Sequence, residues 1–260
     1  MTKLRDAIYG LAVADALGVP FEFKERGTFI CKDMVGFGTW NKEAGTWSDD
    51  TSMTLATCKS IKDKGKIDTE DIRKNFKAWL FDDAFTADGK TFDVGGTTRE
   101  SLVLNRSMDD FYSNGNGSLI RILPLAFTDA SDAEIEKVSS ITHAHEISRK
   151  ACLDYVHLAR KLIGGEKLEG LGLDDLKKKS EEEINSTGFV LHTLESSLWC
   201  ILKTNNYKDA VLKAVNLGDD TDTTAAVTGG LAGIIYGFDN IPKEWIDKLK
   251  NKDLIEDCLF

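Results

Sequence analysis

Apolar residues recur three and four positions apart along almost the whole of this chain. The strict alternation that a half-buried strand requires is missing. Only three prolines, Pro20, Pro124 and Pro242, occur in 260 residues, so long helices meet few breakers. Together these features predict an all-α chain. The spacing predicts helices over 4–17, 51–61, 68–81, 97–104, 132–142, 147–163, 188–203, 208–215, 221–236 and 241–249, with an apolar run over 118–127. Asp68 or Thr69 caps the third of these. Gly18 and Pro20 end the first, in which Gly10, Ala12, Ala14 and Ala16 permit close packing. The lysine- and glutamate-rich stretch 173–184 reads as a solvated surface helix or loop.

An apolar share of 42% supports a sizeable core, and no linker or low-complexity segment divides the chain. One domain over 1–260 is expected. A net charge of −10 with no basic stripe argues against nucleic-acid backbone binding. Asp6 and Asp15 interrupt the first apolar segment, which is therefore neither a signal peptide nor a membrane span. The five cysteines, Cys31, Cys58, Cys152, Cys200 and Cys258, are scattered and form no CxxC. They read as reduced thiols of a cytoplasmic protein, most of them buried in helices. A monomer is expected.

Two segments carry chemistry. In GTWSDDTSMTL (45–55) and NLGDDTDTTAAVTGGLAG (216–233), acidic and hydroxyl residues crowd the start of a small-residue helix. One Asp at a helix N-terminus is explained as a cap, because the first N–H groups lack partners and the dipole favours negative charge. Three carboxylates within four residues, Asp219, Asp220 and Asp222, are not so explained, since they repel one another in a helix this suited to burial. A hard divalent cation resolves the conflict, because magnesium and manganese take carboxylate, hydroxyl and water oxygens. Ser48, Asp49 and Asp50 offer such ligands from one helix start, and Asp220, Asp222 and Thr223 from the other. This many carboxylates suits two ions, about 3.5–4 Å apart. Zinc fits less well without a Cys/His set.

The motifs GLAVADALGVPFE (10–22), GTWSDDTSMTL (45–55), FDVGGTTRESL (92–102), GNGSLIRILPLA (115–126), THAH (142–145), GFVLHTLESSLW (188–199) and GDDTDTTAAVTGGLAG (218–233) occur in an order and spacing that resembles the ADP-ribosylglycohydrolases, the ADP-ribosylhydrolases related to the dinitrogenase reductase-activating glycohydrolase. The resemblance implies a single-domain orthogonal helical bundle of the ADP-ribosylglycohydrolase type. It also implies a dinuclear Mg2+ or Mn2+ centre, with Ser48, Asp49, Asp50, Asp220, Asp222 and Thr223 as metal ligands. The family's usual threonine at the first of these positions is Ser48 here, which keeps the hydroxyl. Glu22 matches a glutamate near the metals, although on its own it reads as a surface charge after a helix end. Asp93, in DVGGTT, matches the Asp-x-Gly of members that cleave ADP-ribosyl-arginine. On its own it reads as an Asp turn. Asn116, Gly117 and Ser118 match the loop that holds the pyrophosphate of ADP-ribose, and His143 matches a ligand-contacting histidine.

The implied activity is metal-dependent hydrolysis of the N-glycosidic bond between ADP-ribose and arginine on a protein, with free ADP-ribose as product. Asp50, Asp93 and Glu22 are the candidates for proton transfer, with roles unassigned. Three rivals stand beside it. One is hydrolysis of serine-linked, small-molecule-linked or nucleic-acid-linked ADP-ribose. Another is a catalytically silent ADP-ribose-binding protein, and the third is a metal-dependent phosphohydrolase. His145, His157 and His192 read as structural, and so do Trp79, Trp199 and Trp245. Trp47, beside the acidic cluster, is expected to wall the site.

Overall fold

A computed structural model describes residues 3–260. Among them the regular structure is helical: α1 (Lys3–Gly18), α2 (Asp49–Lys64), α3 (Thr69–Asp82), α4 (Gly96–Leu104), α5 (Asp132–Ser139), α6 (Glu146–Ile163), α7 (Asp174–Lys178), α8 (Val190–Leu202), α9 (Tyr207–Val215), α10 (Thr221–Tyr236), α11 (Lys243–Lys248) and α12 (Lys252–Cys258). Extended pairing is limited to isolated bridges such as Met108 with His143 and Gly115 with Phe189. The all-α expectation holds. None of the helices is long and apolar enough to cross a membrane.

The caps follow the chemistry of the side chains. Asp68 accepts from the Asp71 N–H at the start of α3, and His145 accepts from the Ile147 N–H at the start of α6. The run 118–127 departs from an α-helix. It forms tight 3-10 turns, with Pro124 inside the Ile120–Phe127 segment. Proline has no N–H to donate, and its ring crowds the carbonyl four residues back. The short α12 was not expected; it buries only Ile255 and Cys258. All five cysteines are free and buried.

Helices α1 and α10 are buried along nearly their whole length and cross at the centre. They separate two apolar clusters. Ala7 and Leu11 of α1 join Ala226, Val227 and Leu231 of α10 on one side. Ile8, Val13 and Leu17 join Ala225 and Ala232 on the other. Small residues let the two backbones touch. A Cβ built on Gly10 would lie 2.3 Å from the Gly229 carbonyl oxygen, one on Gly229 2.3 Å from the Gly10 oxygen, and one on Gly233 2.2 Å from the Asp6 oxygen. Neither backbone can yield locally. Gly229→Ala is therefore expected to destabilise the protein by about 1–3 kcal/mol, read as a lower urea midpoint at unchanged m-value.

Candidate active site

The central crossing also sets where the two acidic helix starts meet. A Cβ on Gly18, at the end of α1, would lie 2.3 Å from Asp222 Cα, so the first turn of α10 rests directly on the last turn of α1. Asp15, one turn earlier on α1, holds the start of α2. Its fully buried carboxylate accepts the Ser48 N–H at 2.9 Å, the Thr51 N–H at 3.0 Å and the Thr51 hydroxyl at 2.6 Å. Burial raises its pKa to about 6 while these donors hold it down. One helix thus carries both acidic starts. Sequence reasoning treated Asp15 only as an interruption of an apolar segment. The available signal was a lone carboxylate inside an otherwise apolar helix, which has to find donors when buried. Asp15→Asn keeps one acceptor oxygen and turns an amide towards N–H groups. A loss of about 1–3 kcal/mol in chemical denaturation is expected, together with weaker divalent-metal affinity in a titration followed calorimetrically.

The carboxylates converge on a cleft of about 420 Å3. Glu22, Asp49, Asp50, Asp93, Asn116, Gly117, His143, Asp220 and Thr223 all line it, as expected from the sequence, along with Phe23, Trp40, Thr98 and Gly188. Carboxylate oxygens of Glu22, Asp93 and Asp222 lie within 4.8 Å of one another. Thr223 Oγ1 donates to Asp50 Oδ1 at 3.5 Å, a hydrogen bond that links the two acidic starts. The Asn116 amide donates to Asp220 Oδ2 at 2.9 Å and to Thr193 Oγ1 at 2.8 Å. Asn116 therefore orients a carboxylate, and its amide is not free for a phosphate. Glu22 accepts from Trp40 Nε1. Its neighbour Phe23 stands in left-handed backbone, φ +63°, and donates its N–H to the Asp219 carbonyl at 2.7 Å. Asp93 is likewise left-handed, φ +53°. Bulky or acidic residues there cost energy, and such outliers concentrate where a site needs a side chain held in place.

Three expectations change. Ser118 does not line the cleft: its hydroxyl is buried against Ser139 Oγ at 3.1 Å and Cys152 Sγ at 3.4 Å. The tight turn at 116–118 points that side chain inward. Ser48 and Asp222 sit just behind the cleft wall, and the Ser48 hydroxyl caps α2 by accepting from the Asp50 N–H at 3.3 Å. Trp47 packs into the apolar cluster around Leu55 and Trp245 instead of walling the site. Trp40 does that, from a short turn the sequence reading passed over. The remaining histidines bond other protein groups: His145 caps α6, His157 bonds Asp132 and His192 bonds Thr187.

Crowding of like charges sets the electrostatics. Burial, then Asp222, pushes Glu22 up to about 9. Burial, then Asp49 and Glu22, pushes Asp93 up to about 10. Asp49, Asp50 and Asp222 are held well above the ordinary carboxylate range, first by burial and then by a neighbouring carboxylate: Asp222 for Asp49, Asp49 for Asp50 and Asp93 for Asp222. Asp50 Oδ2 and Asp222 Oδ2 are buried with no hydrogen-bond partner. Orphaned carboxylate oxygens inside an all-oxygen donor set fit a hard divalent cation, which would satisfy the lone pairs and cancel the repulsion. Ser48, Asp49, Asp50, Asp220, Asp222 and Thr223 could supply ligands, and the structure brings Glu22 and Asp93 together with Asp222.

Residues 1–259 match the family model described as ADP-ribosylglycohydrolase. The chain is 33% identical over 282 residues to the ADP-ribosylarginine hydrolase Tri1 of Serratia proteamaculans, covering 98% of this chain and 77% of that protein. It is 32% identical over 277 residues to the ADP-ribosyl-[dinitrogen reductase] glycohydrolase of Rhodospirillum rubrum, covering 95% and 90%. A solved ADP-ribosylglycohydrolase-related protein complex superposes with a TM-score of 0.84 at 27% identity, over 98% of this chain and 96% of that one.

Proposed function

The chain belongs to the ADP-ribosylglycohydrolase family, whose members hydrolyse glycosidic bonds to release ADP-ribose, and from that premise we propose that it cleaves the N-glycosidic bond of ADP-ribosyl-arginine on proteins. Two divalent ions, Mg2+ or Mn2+, held by Ser48, Asp49, Asp50, Asp220, Asp222 and Thr223 complete the site. The observation that carries the metal reading is the pair of partnerless, buried oxygens on Asp50 and Asp222, one from each helix start. Arginine is supported by the name of one relative reported above, the ADP-ribosylarginine hydrolase Tri1, and by the wall beside Glu22 and Asp93. There Phe23 and Trp40 ring centres lie 6.2 Å apart, and Trp40 and Phe92 centres 5.6 Å apart. Aromatic faces next to carboxylates suit a planar guanidinium.

The net reaction adds water across the bond from the anomeric carbon to the guanidino nitrogen: carbon gains the hydroxyl and nitrogen gains a proton. Bound divalent ions supply positive charge that orients the ribose diol and makes a water molecule more acidic. Glu22 and Asp93 lie on the cleft wall beside Asp222, where each can take or give a proton. Trp40 Nε1 and the strained Phe23 backbone hold Glu22 in place. In this reading residues 1–260 act as one domain, as a cytoplasmic monomer; the buried free thiols suit a reducing compartment.

The test is release of free ADP-ribose from an arginine-ADP-ribosylated protein with magnesium, with manganese and with chelator. Metal-dependent release is expected. Release only from serine-linked or small-molecule-linked ADP-ribose would replace the acceptor. ADP-ribose binding with every substrate left intact would replace the enzyme by a silent binder.

A further inference from the structure

One histidine of the cleft is wired to a buried arginine. His143 lines the cleft beside Gly115 and Gly117 and is only 2% exposed. Its backbone is fixed: its N–H donates to the Ser139 carbonyl at 3.0 Å, and Met108 bridges the residues on either side of it. Its Nδ1 lies 2.7 Å from Thr142 Oγ1. Thr142 Oγ1 in turn lies 2.8 Å from Nη2 of Arg121, a fully buried side chain.

The proton positions follow from what each group can do. A guanidinium only donates, so Thr142 Oγ1 accepts from Arg121. The Thr142 hydroxyl is buried, and its own proton has no bonded acceptor but His143 Nδ1. Were Nδ1 protonated, that hydroxyl proton would be stranded in the interior, at a cost of about 1–3 kcal/mol. Nδ1 is therefore the acceptor, and the imidazole proton sits on Nε2. Burial, and then the Arg121 charge, lower the His143 pKa to about 3, so the ring stays neutral. Among the described residues, no group hydrogen-bonds Nε2. A Cβ on Gly117 would press on the ring, 3.1 Å from Cε1, and one on Gly115 or Gly117 would lie in contact with Nε2 at 3.6 Å, so the two glycines leave this edge less covered.

We propose that Arg121 and Thr142 are positioning residues that fix His143 as the Nε2–H tautomer, so that it presents one hydrogen-bond donor to an oxygen of bound ADP-ribose. The identity of the ligand rests on the functional reading above; the tautomer does not. A neutral donor is useful in this place. It attracts an oxygen acceptor in a cleft otherwise crowded with carboxylates, and it cannot be recruited as a further acceptor there.

The experiment is nitrogen-15 NMR of histidine-labelled protein, with His143 signals assigned by difference against His143→Asn. In the ligand-free protein, the expected spectrum shows an unprotonated Nδ1 and a protonated Nε2. A protonated Nδ1 overturns the proposal. Thr142→Val should mix the tautomers and raise the Kd for ADP-ribose about tenfold, with Thr142→Ser restoring both. An unchanged tautomer and affinity in a folded Thr142→Val protein also overturns it. Addition of ADP-ribose should shift the Nε2–H signal. Calorimetric binding without that shift sinks the ligand half and leaves the functional reading standing. No binding to wild type at all sinks the functional reading and the ligand half together, while the ligand-free spectrum still decides the tautomer.

Discussion

Asp222→Asn is expected to make the metal-free protein more stable and the enzyme inactive. Asp222 is 1% exposed, one of its oxygens has no partner, and carboxylates of Glu22 and Asp93 crowd it. Removing a buried, unpaired charge of this kind stabilises by about 1–3 kcal/mol. The gain depends on pH. Glu22 and Asp93 reach about 9 and about 10 in the fold, and Asp222 is raised in the same direction. The unfolded chain titrates these groups near 4. Between those limits the folded state binds more protons than the unfolded one, so metal-free stability falls as pH rises. Melting in chelator should therefore show the wild type losing stability from pH 5 to pH 8, with Asp222→Asn losing less and melting higher at pH 8. Magnesium or manganese should reverse the order. A metal present at 100 times its Kd adds about 2.7 kcal/mol to the wild type, and the variant lacks the site to receive it. A metal-free wild type that gains stability with rising pH would show that the cluster is paired by something other than cations.

The stability inversion depends on contacts that the linear sequence does not display. Helix periods were legible because each helix presents a stripe to one of two cores, and α1 and α10 announced their burial by small residues throughout. The acidic starts of α2 and α10 were legible because too many carboxylates stood where one cap suffices. What stayed hidden was proximity. Asp93 and Glu22 approach Asp222 only because Gly18 lets α10 sit on α1 and because left-handed Phe23 is tied to Asp219. Nearness along the chain misled in the case of Trp47, two residues from Asp49: the chain before α2 turns that ring into the core, and Trp40 reaches the cleft. Ser118 failed for a related reason. A glycine loop fixes where a backbone turns, and the direction of the next side chain depends on which face the interior occupies.

The two adjacent aspartates at the start of α2 pose a choice between capping and ligation, and the structure divides the tasks so that mutation can separate them. Ser48 is the cap: its hydroxyl accepts the Asp50 N–H at 3.3 Å and lies behind the cleft wall. Asp50 caps nothing that the structure records. One oxygen takes the Thr223 hydroxyl at 3.5 Å, and the other is buried and empty-handed beside Asp49. Ser48→Ala should cost about 1 kcal/mol of stability, the ordinary worth of an N-cap. Asp50→Ala should leave stability in chelator unchanged or higher, since it removes a repelling charge, and should lower metal-dependent release of ADP-ribose by about 10³-fold, as loss of a group that stabilises developing charge does. If Asp50→Ala instead melts lower and keeps its turnover, Asp50 is a structural acid and the metal reading of this helix start falls. Because the hydroxyl is also proposed to serve the cations, Ser48→Ala should lose turnover beyond its loss of stability; turnover reduced only in step with stability would remove Ser48 from the ligand set.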